Sequence, residues 1–280
     1  MILLDQLEKW LPLLDHWARL YLNEEEFAEF CLMTESEKEN QLKAILEKPI
    51  AKFTQINEVY FRGRWAEVLN LLHPEKKMKL LEIASGDADM IPQVMARTHP
   101  DSHYVTANMN KLLNSSLLGK TKNLSLEIQI VEDDAINIEE HIGQGTVDII
   151  AFQHSINDVI QAILCDREGV DTIDSDWMST LPKMIEILQK ETLQNTLESH
   201  AKPQFLGLMD VLMSVLKNDG VVAMNHYMFQ LDLDWGYPPY LFENMVPMIR
   251  DWLKDLSGCD EIFYSGFDPN WWMFLHKKNE

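Results

Sequence analysis

The feature that most constrains this fold is an apolar run that ends in a turn of small residues. Residues 79–83 read KLLEI, and the following ASGDA places small side chains at positions 84, 86 and 88. The pattern predicts a strand that stops in a tight turn, with a helix behind it. Small side chains in such a turn let the backbone approach a ligand, as in nucleotide-type cofactor sites. The spacing differs from the G-x-G-x-x-G of dinucleotide-binding domains.

Beyond residue 76 the hydrophobic pattern alternates between strand and helix periods. The predicted strands cover residues 80–84, 103–107, 126–131, 147–153 and 221–225. Helices between the first three strands are expected at residues 90–98 and 111–118. Residues 217–220, KNDG, are expected to end a helix with a turn before the fifth strand. Strands that alternate with helices over short loops favour a parallel sheet with helices on both faces.

The C-terminal part of the chain predicts a strand pair. A helix over residues 242–256 is followed by predicted strands over 260–265 and 271–276, with a turn at 268–270 between them. Two strands joined by so short a connection run antiparallel. The sheet is therefore expected to close with a hairpin.

This element order, together with the E-x-A-x-G-x-A motif of residues 82–88, resembles the class I methyltransferases that use S-adenosylmethionine. The resemblance covers residues 76–280. It implies an α/β fold with a Rossmann-like, mostly parallel seven-stranded sheet and a C-terminal antiparallel hairpin. The cofactor it implies is S-adenosyl-L-methionine.

The first 75 residues have helical patterns and no strand pattern. Pro12 is expected to break or restart the first helix, and residues 34–37, TESE, have the form of a capping box. A longer helix is expected over residues 51–72, with Phe53 on its apolar face. These helices are expected to dock onto the sheet domain, and in the family resembled such helices often cap the acceptor site.

The predicted organisation has two parts. Residues 1–75 form a helical region that caps the active site, and residues 76–280 form a cofactor-binding domain of the methyltransferase type. Within the second part, residues 157–218 are expected to form a lid or helical insertion. Its helical stretch is expected to split into two helices near Lys202-Pro203.

The resemblance assigns ten residues near strand ends to the cofactor. They are Glu82, Ala84, Ser85, Gly86, Asp87, Asn108, Met109, Asp134, Ala135 and Gln153. Glu82 would organise the turn or meet the methionine ammonium group, and alanine at position 84 is tolerated in the turn if its φ stays negative. Asn108 stands where the family usually has an acid that chelates the ribose hydroxyls, and an amide can replace that acid. Asp134 and Ala135 would read the adenine ring.

Two histidines that follow neighbouring strands are candidate general bases. His154 follows the fourth predicted strand and His226 follows the fifth, which places both at one edge of the sheet. An imidazole titrates near neutrality and could take a proton from a hydroxyl acceptor. His154 could equally be a packed histidine that is hydrogen-bonded under a loop.

Two further segments are candidates for acceptor binding. Residues 157–176 hold six acids and one arginine, which could attract a cationic acceptor, bind a divalent metal or form a solvated loop. No spacing in this segment defines a metal site, and none is expected. In the aromatic loop 231–240, Trp235 and Tyr240 could bind a flat or cationic acceptor, or could only pack the loop down.

The charge of the chain bears on its partners. The formal net charge is −21, from 45 acidic and 24 basic residues among 280. Nucleic acids and anionic membranes bind basic surfaces, so neither is expected as a partner. A small neutral or cationic acceptor is favoured, although the charge could serve solubility alone. Isolated cysteines and the lack of a long apolar run or basic leader predict a cytoplasmic protein, and a homodimer is left open.

The expected function is therefore methyl transfer from S-adenosyl-L-methionine to an oxygen or nitrogen of a small molecule. One alternative is a methyltransferase-like binding or scaffold protein without catalysis, which Ala84, Ala88 and Asn108 favour. A second alternative is a nicotinamide-dependent oxidoreductase, which the expected hairpin and the missing G-x-G-x-x-G oppose.

Overall fold

The fold is built on one seven-stranded sheet. The computed structural model describes residues 2–51, 55–73 and 77–279. The strands are β1 (Lys79–Ile83), β2 (His103–Ala107), β3 (Glu127–Val131), β4 (Val147–Gln153), β5 (Leu216–Asn225), β6 (Cys259–Glu261) and β7 (Trp272–Lys277). Their order is β3-β2-β1-β4-β5-β7-β6, with β1 to β5 parallel and β7 antiparallel between β5 and β6. The predicted mostly parallel sheet with a closing antiparallel hairpin is confirmed.

Helices precede the sheet and connect its strands. The first four are α1 (Ile2–Tyr21), α2 (Glu24–Leu32), α3 (Glu35–Leu46) and α4 (Gln55–Leu72). Those between β1 and β5 are α5 (Met90–Thr98), α6 (Lys111–Thr121), α7 (Ile138–Ile142), α8 (Ile156–Arg167), α9 (Trp177–Gln194) and α10 (Leu197–Val215). Those after β5 are α11 (Gln230–Trp235), α12 (Pro239–Glu243) and α13 (Met245–Trp252).

The central strands are buried on both faces. Successive side chains of a strand point to opposite sides, so neighbouring residues join different hydrophobic clusters. Leu81 belongs to a cluster with α8, α9, α10 and α13, whereas Leu80 belongs to one with α1, α3, α4 and α5. The N-terminal helices therefore serve as the layer on one face of the sheet.

Helix α4 connects that layer to the end of the sheet. Its Trp65 lies edge-on to Trp272 of β7, with 5.3 Å between ring centroids, and both rings are buried. The docking of the N-terminal helices onto the sheet is thus a packed apolar contact. The predicted domain boundary between residues 75 and 76 and the expected position of Phe53 lie outside the described residues.

The prediction that Pro12 breaks the first helix is wrong, because α1 runs through it. An interior proline costs about 3 kcal/mol through the lost hydrogen bond and the ring clash. Trp10, Leu14 and Trp17 are all buried on either side of Pro12, and each large side chain contributes about 1.5–3 kcal/mol on burial. The burial of this helix face therefore outweighs the cost of a proline inside the helix. The capping box that opens α3 is confirmed: Glu37 N–H donates to Thr34 Oγ1 at 3.3 Å, and Thr34 N–H donates to Glu37 Oε2 at 2.7 Å.

A turn and a helix boundary that the sequence predicts before β5 are not found at the predicted positions. The expected turn at residues 217–220 is a bulge within β5, because Leu216 pairs with Val147 before Val221 pairs with Ile149. The expected split near Lys202-Pro203 is also wrong, since α9 ends at Asn195 in a left-handed conformation and α10 contains Pro203. Asparagine adopts that conformation more readily than most residues, which makes it the better helix stop here.

The C-terminal elements differ from expectation mainly in length. The helix expected over residues 242–256 is divided at Asn244 into α12 and α13, and β6 is shorter than the strand expected over 260–265. Among the described residues, no helix combines the length and the apolar character that crossing a bilayer requires.

Candidate cofactor and acceptor site

A cavity of about 1150 Å³ opens at the ends of the parallel strands. Its floor comes from the residues that follow β1, β2, β3 and β4, the edge at which open α/β sheets bind ligands. Helices α4 and α8 and the segment before α9 form its sides. Nine of the ten residues predicted for the cofactor line it: Ala84, Ser85, Gly86, Asp87, Asn108, Met109, Asp134, Ala135 and Gln153.

The turn after β1 is left-handed at two positions. Ala84 has φ +52° and Gly86 has φ +58°, so the condition of a negative φ is not met at Ala84. A non-glycine residue in this region costs about 1–2 kcal/mol. Hydrogen bonds hold the turn in place: Ala84 N–H donates to Ala107 O at 3.0 Å, and Ser155 Oγ donates to Ile83 O at 2.7 Å.

Asn108 ties the end of β2 to this turn. Its Nδ2 donates to Gly86 O at 2.9 Å and to Asn114 Oδ1 at 2.8 Å. Both amide hydrogens are therefore used inside the protein, and the side-chain oxygen is the group left to accept a hydrogen bond. A hydroxyl pair such as that of a ribose can donate to such an oxygen.

The two acids predicted around the turn are already partnered. Glu82 is buried, does not line the cavity and accepts a hydrogen bond from Tyr104 Oη at 2.7 Å. Burial raises the pKa of Glu82 to about 8, so it is protonated at neutral pH. Asp87 accepts from Lys120 Nζ at 2.7 Å and from Ser116 Oγ at 2.9 Å. Glu58 of α4 lines the cavity instead, and sequence reasoning missed it because it lies within a largely apolar helix.

The two acids after β3 differ in their hydrogen-bond partners. Asp133 accepts hydrogen bonds from neighbouring side chains, His141 Nε2 at 2.8 Å and Asn137 Nδ2 at 3.0 Å. Asp134 accepts the N–H of Ile136 through Oδ1 at 3.1 Å, and its other oxygen is available at the cavity edge. A carboxylate oxygen there is suited to an exocyclic amino group.

His154 lines the cavity but is arranged as a donor. Tyr227 N–H donates to its Nδ1 at 3.2 Å, which places the ring proton of the neutral imidazole on Nε2. Burial, aided by the positive charge of Lys48, lowers the pKa of His154 to about 4. This arrangement leaves His154 without a free nitrogen lone pair, so it does not favour the predicted general-base role.

His226 lies at the predicted edge of the sheet but outside the cavity. It is 0% exposed and does not line the cavity, because its ring lies behind that of His154. Trp235 and Tyr240 do not line the cavity either, and both are exposed on the surface. Asp158, named in the sequence only as part of an acidic segment, lines the cavity from the first turn of α8.

The residues present suit an adenosine-type cofactor. Gly86 has no side chain and therefore keeps the floor of the turn clear of side-chain atoms. A Cβ atom added there would lie 3.6 Å from Leu113. Asn108 and Asp134 offer oxygen acceptors on neighbouring strand ends, where ribose hydroxyls and an adenine amino group could donate. Ala135, Ile136 and Ile163 add apolar surface beside Asp134.

The comparisons with known proteins concern the fold. No protein-family model and no curated protein matches the sequence. A structure from Methanococcus maripaludis described as a candidate S-adenosyl-L-methionine-dependent methyltransferase is 14% identical, with TM-score 0.49 over 77% of this chain and 84% of that chain. A SAM-dependent methyltransferase from Aquifex aeolicus is 12% identical, with TM-score 0.48 over 81% and 98%. A candidate rRNA methylase from Clostridium thermocellum is 10% identical, with TM-score 0.44 over 78% and 96%.

At these low identities and TM-scores, the strand order of the sheet rather than any single neighbour defines the fold class. That order, with its antiparallel β7 between β5 and β6, is the class I methyltransferase fold.

Proposed function

We propose that this chain transfers a methyl group from S-adenosyl-L-methionine to an oxygen or nitrogen of a small molecule. The observation that carries the proposal is the cavity at the strand ends. Nine of the ten residues that the sequence predicts for the cofactor line this cavity. When bound, the cofactor supplies a methyl group on a positively charged sulfur. The protein would contribute orientation of the two reactants and exclusion of water.

The proposed roles follow from the free hydrogen-bonding groups. Asn108 Oδ1 accepts from the ribose, and Asp134 accepts from the adenine amino group. The turn at Gly86 lies under the methionine part, and Glu58 also lines the cavity. His154, which carries its proton on Nε2, orients the acceptor as a hydrogen-bond donor and takes no proton from it.

The charge of the cavity supports a small neutral or cationic acceptor. Eight acidic residues and no lysine or arginine line it in the part of the chain that the structure describes: Glu58, Asp87, Asp133, Asp134, Asp158, Asp166, Asp171 and Asp176. A nucleic-acid substrate needs basic side chains along its phosphates. The lining therefore opposes a polyanionic substrate more directly than the net charge alone.

A calorimetric titration of the purified protein with S-adenosylmethionine and with S-adenosylhomocysteine tests the proposal. We expect both to bind at one site per chain, and mass spectrometry of the purified protein to find either compound retained. No binding of either would refute the proposal. Binding without transfer to any small-molecule acceptor would favour the second candidate, a binding protein without catalysis, for which the left-handed Ala84 and the amide of Asn108 are the supporting observations.

A further inference from the structure

One end of the cavity combines a carboxyl group with a wall of aromatic rings. Asp158 lines the cavity, together with Phe61 of α4 and with Tyr227 and Phe229 after β5. The ring of Phe61 lies 4.8 Å from Tyr227 and 6.2 Å from Phe229 between centroids. His154 meets Phe229 edge-on at 5.0 Å, which joins the imidazole to the wall.

The carboxyl group is supported by buried polar groups. Asn157 Nδ2 donates to Asp158 Oδ1 at 2.8 Å. Asp232 of α11 is 8% exposed, and its Oδ2 lies 4.0 Å from His154 Nε2. Gln161, one turn along α8, is 1% exposed and accepts from Tyr237 Oη at 3.2 Å.

The carboxyl group of Asp158 has no positively charged partner within the described ranges. Its side-chain hydrogen bond comes from the neutral amide of Asn157, and no lysine or arginine acts on it. A cation that enters the cavity could therefore pair with Asp158, which a neutral molecule of the same shape could not do.

We infer that this end of the cavity binds the acceptor as a protonated amine with an aromatic body. Its ammonium group would lie on Asp158, and its ring would lie against Phe61, Tyr227 and Phe229. The attraction between a cation and aromatic faces adds to the charge pairing in such a site. This inference rests on the proposed function, since it names the acceptor class for the same cavity.

The protonation of Asp158 gives an independent consequence. Burial, together with the charge of Asp232, raises the pKa of Asp158 to about 8, so its carboxyl group is protonated at pH 7. The titratable groups that act on it are Asp232 on α11 and Tyr237 before α12, and His154 lies beside Asp232. An ammonium ion that pairs with Asp158 displaces its proton, so amine binding releases a proton to solvent.

The test uses the full chain saturated with S-adenosylhomocysteine, which has no methyl group to transfer. 2-Phenylethylamine and its neutral counterpart 2-phenylethanol are titrated by calorimetry at pH 7. We expect the amine to bind at least tenfold more tightly than the alcohol. Asp158→Asn should remove that difference, whereas Asp210→Asn, a control at an exposed position of α10 outside the cavity, should keep it.

Each outcome decides a different point. Equal affinity for amine and alcohol in the wild type, or an unchanged difference in Asp158→Asn, overturns the inference and leaves the proposed function standing. No heat from S-adenosylhomocysteine overturns the proposed function and this inference with it. The S-adenosylhomocysteine affinity of each variant reports its folding. If Asp158→Asn fails to fold, the wild type decides: amine binding enthalpies that do not differ between phosphate and Tris buffers exclude the proton release and overturn the inference.

Discussion

The imidazole rings of His154 and His226 stack with their centroids 4.5 Å apart and their planes inclined by 23°. They follow neighbouring parallel strands whose last residues, Gln153 and Asn225, are in register. Only His154 reaches the cavity, and burial lowers the pKa of both rings, the positive field of the other ring adding to the effect on His226. Both rings are therefore neutral at pH 7. The ring of His154 lines the cavity, and the ring of His226 packs behind it.

Replacing His226 by phenylalanine should stabilise the protein. Both ring nitrogens of His226 are buried without partners among the residues described, so the change removes two unsatisfied polar atoms and keeps a stacked ring. We expect the free energy of unfolding to rise by roughly 1–2 kcal/mol in urea titrations, with unchanged S-adenosylmethionine affinity.

The matched variant His154→Phe should act in the opposite direction, because it leaves the N–H of Tyr227 without its acceptor. A fall in methyl-transfer rate of about 10²–10⁴-fold in His226→Phe, the range for a lost general base, would restore the catalytic role expected from the sequence.

Gly86→Val should abolish cofactor binding, because a branched side chain would enter the cavity beside the turn. Valine is also strained at φ +58°, so a stability loss accompanies the binding loss. Gly145→Val is the control: its φ is +60°, an added Cβ meets no atom within 4 Å, and the residue does not line the cavity. We expect similar melting temperatures for the two variants and calorimetric binding only in Gly145→Val; equal binding in both would show that the turn has been misassigned.

Ala84→Gly and Ala88→Gly should have effects of opposite sign. Glycine relieves the left-handed strain at Ala84, and we expect a gain of about 1 kcal/mol in unfolding free energy. Ala88 has no positive φ, so glycine there only adds freedom to the unfolded chain and should cost about 0.4–1 kcal/mol. Chemical denaturation of both variants measures this, and a loss at Ala84 would mean that the turn is not left-handed in solution.

Glu82→Gln should stabilise the protein in a pH-dependent way. The pKa of Glu82 is raised from 4.5 to about 8 in the fold, so the unfolded state loses its proton first. Wild-type stability contributed by this group is present below pH 4.5 and is lost as pH rises towards 8, by at most about 5 kcal/mol. Glutamine keeps an acceptor for Tyr104 and has no proton to lose.

The two proteins should therefore unfold alike near pH 4.5, and the variant should gain progressively up to pH 8. Glu127→Gln, on the exposed side of β3, serves as the control without such a gain. A constant difference across this pH range would contradict the buried, protonated state of Glu82.

Asp134→Ala should weaken S-adenosylmethionine binding by roughly 1–3 kcal/mol, the range for an unpaired polar partner. Because Asp134 also caps the turn at Ile136, the comparison with Asp134→Asn is needed. Asparagine restores the cap with its oxygen but presents an amide donor to the adenine amino group. Calorimetry should show both variants weakened; full recovery in Asp134→Asn would assign the loss to the cap and move the adenine site elsewhere.

The sequence predicted the sheet and the position of the turn after β1 well because both follow from local patterns. β2 and β4 have the expected bounds, and the nearly continuous apolar run of β4 is typical of a buried parallel strand. Helix α1 through Pro12 and the bulge at residues 217–220 were not predictable locally. Both depend on packing against residues far away in the chain.

The proposed acceptor end was the least predictable part of the site. Asp158 and Asp232 come from α8 and α11, and no spacing in the sequence relates them. The cavity-lining positions after strands could be predicted, because parallel strands place their ends at one edge. His226 shares that edge, but the sequence does not reveal that the ring of His154 covers it.

The contact between Trp65 and Trp272 also means that the N-terminal helices can complete their packing only after β7 has been synthesised. The N-terminal helices leave the ribosome long before β7, whose Trp272 and Phe274 complete the cluster they belong to. Until then, the apolar faces of α1 and α4 lack part of their cover and are accessible to chaperones. A ribosome-bound chain stalled before residue 259 should therefore be cleaved by protease within α4, whereas the released protein should resist.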